Sequence, residues 1–193
     1  MKKDLFKRLE IIGVFVVFIS GALLHFLYNW NGGVCGVLFG AVNESVWEHI
    51  KIFAMPYVAW SIIELAISAP YFKRFVIGKV LGLYTLSVLI AGFYYLYSGI
   101  IGRSVLAVDI ISVFLWIGIA FYISYNIVVS DKEIRQFFTL SLYMLLLYFA
   151  MYFSFTVAPP HIDLFRDPNT GTYGIPNLDF SSLQAFWSSM IGV

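Results

Sequence analysis

Apolar positions run almost without interruption through five stretches of the chain, about 9–30, 46–69, 75–97, 104–129 and 137–157, each rich in Leu, Ile, Val, Phe and Tyr. A helix needs about 20 apolar residues to cross the hydrocarbon of a bilayer, and each stretch is long enough. In hydrocarbon every backbone group must find its partner inside its own segment, so the stretches predict helices. The alternating strands of a transmembrane barrel are absent from the pattern. The expectation is an all-α, polytopic transmembrane bundle of about five spanning helices, residues 1–157, followed by a tail, 158–193.

Two segments are too short or too broken to span. Asn31 to Val42 is apolar and glycine-rich but only about 12 residues long, which reads as a re-entrant or interfacial piece. The tail opens on Pro159-Pro160, which ends the fifth helix, and continues through the turn formers of Asp167 to Gly174. From Phe180 onward, Phe180, Leu183, Phe186, Trp187, Met190 and Ile191 fall at helical spacing with serines and Gln184 opposite. That spacing predicts a short amphipathic helix packed on the outer face.

Composition agrees with the pattern. The 193 residues are 61% hydrophobic and 12% charged, against about 25% charged in soluble domains, and mean hydropathy is +0.86. Lipid must therefore cover much of the surface. A net charge of +1 gives no reason to expect nucleic acid as a partner. The single cysteine, Cys35, excludes an internal disulfide. The basic start, Met1 to Arg8, resembles a signal peptide, but the apolar run continues to Trp30 with no small-residue cleavage site, so it is expected to remain as the first helix.

Charge then sets the orientation. Of the twelve Lys and Arg, only Lys51, Arg103 and Arg166 fall on one side of a five-span arrangement. The others, at the N-terminus and in the second–third and fourth–fifth loops, fall on the opposite side. By the positive-inside rule the N-terminus is cytoplasmic and the tail extracytoplasmic.

This topology, derived from Lys and Arg alone, puts all three histidines, two glutamates, Ser45 and Asp109 in one outer layer. His25 ends the first span, His49 starts the second and His161 follows the fifth. Glu44, Ser45 and Glu48 stand at the entry to the second span, and Asp109 lies about two turns into the fourth. Ionisable residues at membrane depth are costly and tend to mark function. Imidazole with carboxylate suits zinc and other divalent metals. The expected ligands are therefore His25, His49 and His161, with Glu44, Glu48, Ser45 and Asp109 as catalytic candidates. A plainer reading stands beside this one. Ser45 and Glu48 fit a helix-capping box, Asn43 is a good N-cap, and each histidine has a packing or solvated alternative. The cytoplasmic half has little charge expected to be buried beyond Glu10 and Glu64, and Glu64 has no assigned role.

The strings Val42-Asn-Glu-Ser-Val-Trp-Glu-His-Ile-Lys51 and Pro159-Pro-His-Ile-Asp-Leu-Phe-Arg-Asp-Pro-Asn-Thr-Gly-Thr-Tyr-Gly-Ile175 resemble the signature segments of a family of uncharacterised bacterial multi-pass membrane proteins. That resemblance implies a bacterial cytoplasmic membrane protein and carries no activity. The chain is also similar, in fewer features, to zinc-dependent membrane hydrolases of the alkaline-ceramidase type. Ser45 and His49, four apart on one helix, and Asp109 on another match their pattern. The paired late histidines are missing, only His161 stands late in the chain, and five spans replace seven. These readings imply a metal-dependent membrane hydrolase or lipid-modifying enzyme at the outer leaflet. The alternatives are a small-molecule or ion binding or transport protein, and a structural accessory subunit.

Overall fold

The computed structural model describes residues 3–68 and 70–175. Five long helices carry the apolar stretches: α1 (Lys3–Asn31), α3 (Val46–Ser68), α4 (Phe72–Ile101), α5 (Leu106–Val129) and α6 (Phe138–Val157). All five are long and apolar enough to cross a membrane. The predicted amphipathic helix from Phe180 lies outside the described residues.

Helices α1, α3, α4 and α5 form a closed ring, each packed on two of the others, and α6 stands outside it against α4. The ring encloses Val17, Ile52, Tyr57, Leu83, Leu86, Ile117 and Phe121, all nearly inaccessible. Ile62, Val88, Leu96, Leu115 and Leu146 point outward and are exposed, as expected of a surface that lipid covers. Helix α6 is held by hydroxyl groups. Tyr84 donates to the Met144 carbonyl at 2.8 Å, Ser87 and Tyr148 share a bond of 2.8 Å, and Tyr152 donates to the Leu38 carbonyl at 2.7 Å.

The glycine-rich segment does not cross. It forms a six-residue helix, α2 (Val34–Phe39), folded back along the end of α1. Glycine is required by the closeness of the backbones. A Cβ on Gly36 would sit 3.0 Å from Tyr28 Cα, and one on Gly40 would sit 2.9 Å from Tyr28 N.

Lys51 and Lys79, counted among the side-setting charges in the sequence, lie inside the bundle. Lys51 is completely buried in α3 and Lys79 nearly so in α4. Each has carboxylate partners inside the bundle. One lysine is removed from each side of the charge comparison, so its direction is unchanged.

Candidate functional site

The start of α3 is organised by short polar side chains. Asn43 Oδ1 accepts from the Ser45 amide at 2.9 Å, and Ser45 Oγ accepts from the Glu48 amide at 3.4 Å. The expected capping box is thus half formed. Glu48 does not return to the Ser45 amide but accepts from the Val42 amide at 2.9 Å. It also pairs with Lys51 at 2.6 Å. Lys51 in turn donates to the Val37 carbonyl at 2.9 Å. This buried pair therefore clamps the α2–α3 linker, and the linker presents Glu44.

Glu44 meets two imidazoles. Its Oε2 lies 3.5 Å from His25 Nε2, at the end of α1, and 3.6 Å from His49 Nε2, in the first turns of α3. The rings are 5.3 Å apart. One ligand atom from each residue falls within 4.8 Å of the others. These separations exceed those of good hydrogen bonds. The two Glu44–imidazole separations suit a shared ion, because a tetrahedral zinc with bonds of about 2.0–2.2 Å holds its ligand atoms roughly 3.3–3.6 Å apart.

The tautomer supports the same use. His49 Nδ1 faces the Ser45 carbonyl at 2.9 Å. A carbonyl can only accept, so Nδ1 carries a proton, and Nε2 is the ring nitrogen turned toward Glu44. A backbone carbonyl on the far ring nitrogen is the usual support of a ligating histidine. Contact with His25 holds the Glu44 carboxyl below its usual range, opposed by partial burial and helped by the charge of His49.

The three residues line a cavity of about 490 Å³. Its walls are mostly apolar and include Phe18, Phe53, Ile90 and Val113; Asp109 adds a polar group, and Pro168 and Asn169 of the tail border it. Asp109 falls in the first turn of α5, nearer the helix end than the sequence suggested. It accepts from the Tyr97 hydroxyl. The tail is fixed over this end by Asn43 Nδ2, which donates to the Gly174 carbonyl at 2.8 Å. Phe165 is also wedged against Trp47, with ring centroids 5.3 Å apart.

His25, Glu44 and His49 thus converge, with Asp109 in the same cavity. His161 does not join them. The Pro159-Pro160 turn and the Arg166–Tyr173 bridge lead it away, and it stacks on Tyr173 at 4.6 Å. Ser45 and Glu48 also stand apart from the cavity. Ser45 caps the helix and orients His49, while Glu48 is consumed by Lys51 and the Val42 amide. Sequence reasoning missed Tyr97, Pro168 and Asn169, none of which carries a local signal. It also missed the joining of Lys79 to Glu10 and Glu64 inside the ring; three ionisable residues within apolar spans were the available signal.

The model of a family of unknown function, DUF6512, matches residues 1–175. The chain belongs to that family. The match spans both signature strings and every helix described above, so the DUF6512 region includes the ring, the cavity and its tail. Neither the curated proteins nor the solved structures include a match to the chain.

Proposed function

We propose that this DUF6512 protein is a metal-dependent hydrolase or related lipid-modifying enzyme of the bacterial cytoplasmic membrane. In this reading the N-terminus is cytoplasmic and the cavity opens at the outer leaflet. The observation that carries the proposal is the meeting of two imidazole nitrogens and one carboxylate oxygen on a cavity that is otherwise mostly apolar. Such a cavity suits an amphiphile, with its apolar part against Phe18, Phe53 and Val113 and its polar linkage at the histidines.

His25, Glu44 and His49 would hold the ion, zinc being the best fit to the donor set. The ion supplies Lewis acidity and makes a water acidic enough to react near neutral pH. Asp109 is the carboxylate of the cavity left free of the ligand set. It would serve as the general base of the cavity, and the Tyr97 hydroxyl that it accepts from would steady its charge.

Elemental analysis of the purified protein in mild detergent, without a metal-binding tag, tests the first half. About one zinc per chain is expected, lost in both His25→Ala and His49→Ala. A screen of ester- and amide-linked lipids tests the second half, with Asp109→Asn expected to keep the metal and lose turnover. Failure to load zinc would overturn the reading. Loading without turnover of any lipid would reduce it to a binding site.

A further inference from the structure

At the opposite end of the ring, three ionisable residues from three helices meet out of reach of water. Glu10 on α1, Glu64 on α3 and Lys79 on α4 are 4%, 0% and 6% exposed. Lys79 Nζ lies 3.0 Å from Glu10 Oε1 and also pairs with Glu64 Oε2. Trp60 Nε1 donates to Glu64 Oε1 at 3.0 Å, and Ser124 Oγ of α5 donates to Glu10 Oε1 at 3.2 Å. Among the described residues, the Tyr57 hydroxyl of α3 is the other titratable group packed against these three, and α5 contributes Ser124 but no charged side chain. Tyr57 reaches this position because Gly82 of α4 has no Cβ, which would otherwise collide with the hydroxyl.

The charge count is unequal. Two carboxylates face one ammonium, leaving one negative charge uncompensated in a ring that lipid surrounds. A buried charge is retained only when paired, and otherwise the group neutralises. Neutralisation cannot come from the lysine. Its ammonium sits 4.6 Å from the centroid of Phe121, 5.4 Å from Tyr57, 5.6 Å from Phe75 and 5.8 Å from Phe6, surroundings that favour a cation. The compensating charge must therefore arrive on a carboxylate. Glu10 Oε2 and Glu64 Oε2 are both buried with no hydrogen-bond donor, but Glu64 Oε2 lies against the Lys79 ammonium whereas Glu10 Oε2 has neither donor nor cation, Lys79 meeting Glu10 through Oε1.

We propose that Glu10, Glu64 and Lys79 form a proton-binding site within the membrane, holding one exchangeable proton per chain on the Glu10 side of the carboxylate pair. With the proton bound, the site is neutral as one carboxylic acid, one carboxylate and one ammonium. When the proton leaves for water, the site carries one negative charge. Such a one-charge alternation is what intramembrane acids provide in proton-coupled proteins. The site shares no residue with the histidine group and does not depend on the reading of that group as a metal centre.

Infrared difference spectroscopy on the full chain in lipid nanodiscs tests this. A protonated-carboxyl C=O band is expected near neutral pH, shifting in D₂O and disappearing as pH rises. Glu10→Gln should abolish it. Glu64→Gln should abolish it too, because one carboxylate with one ammonium needs no proton. No band in the parent would overturn the proposal, as would a band that survives both substitutions. A band lost only in Glu10→Gln would overturn the shared, charge-balanced site, and a band that no pH removes would show that the proton does not exchange.

Discussion

The two polar clusters use nearly the same chemistry and are built in opposite ways. At the tail end, His25, Glu44 and His49 have side chains 27%, 45% and 34% exposed. They hold one another at distances too long for full hydrogen bonds, around space that a ligand can enter. At the other end, Glu10, Glu64 and Lys79 are sealed, tightly paired and ringed by aromatic side chains. The Glu48–Lys51 pair lies between these extremes: it is buried like the triad but balanced one to one. Access and partner count, more than residue type, separate these roles. An open, under-bonded group can take up a ligand, a sealed unequal one can take up only a proton, and a sealed equal one holds the fold.

Breaking the equal pair should have the largest effect. Lys51→Met leaves Glu48 buried without its cation, and loss of about 3–5 kcal/mol is expected, read as a lower melting temperature in detergent. The double variant Glu48→Gln/Lys51→Met should recover much of that loss. If Lys51→Met melted like the parent, the pair would not be the clamp described. A smaller effect is expected from Gly40→Val, since the added carbon meets the backbone of Tyr28 and Gly36. Overpacking of this kind costs about 1–3 kcal/mol, and displacement of α2 should also weaken zinc retention by moving Glu44.

At the open cluster the order reverses, with ligand binding responding more than stability. His49→Ala should change metal-free stability by less than about 1 kcal/mol while removing the metal. A large loss of stability in the metal-free protein would instead make His49 a structural residue. The smallest effect concerns pH. Glu44 has its carboxyl lowered from the usual 4.5 by His25, so its stabilising contribution is present above that value and fades as pH falls through its lower folded value. The stability difference between the parent and Glu44→Gln should therefore narrow on acidification below about pH 4.5.

Much of the fold was legible because hydrocarbon leaves the backbone few choices, and each long apolar run corresponds to one long helix. The beginning of α1 was less clear. The apolar run put the first span at about 9–30, whereas α1 already includes Lys3 and the basic residues Lys7 and Arg8, with Phe6 fully buried on its inner face. The site was legible in depth but not around the helix axes. Position along the spans put His25, Glu44, His49, Asp109 and His161 in one layer, but only the turns of the tail determine that His161 faces Tyr173. Lys79 was counted with the loop charges for a related reason: hydropathy records how many charges a segment carries, and says nothing of the two acids across the ring. A capping residue and a general base look alike in a sequence, and the pairing of Glu48 with Lys51 and the Val42 amide is a matter of three-dimensional placement.

The bond from Asn43 to Gly174 joins residues 131 positions apart, and this has a consequence for biosynthesis. The helices that make the proton site have all been synthesised once α5 is complete, since its most distant contributor is Ser124. The cavity, by contrast, gains Pro168 and Asn169 only after α6 has emerged and the tail has folded back. A nascent chain thus carries every residue of its sealed cluster while the cavity still lacks Pro168 and Asn169, the most C-terminal residues of its lining.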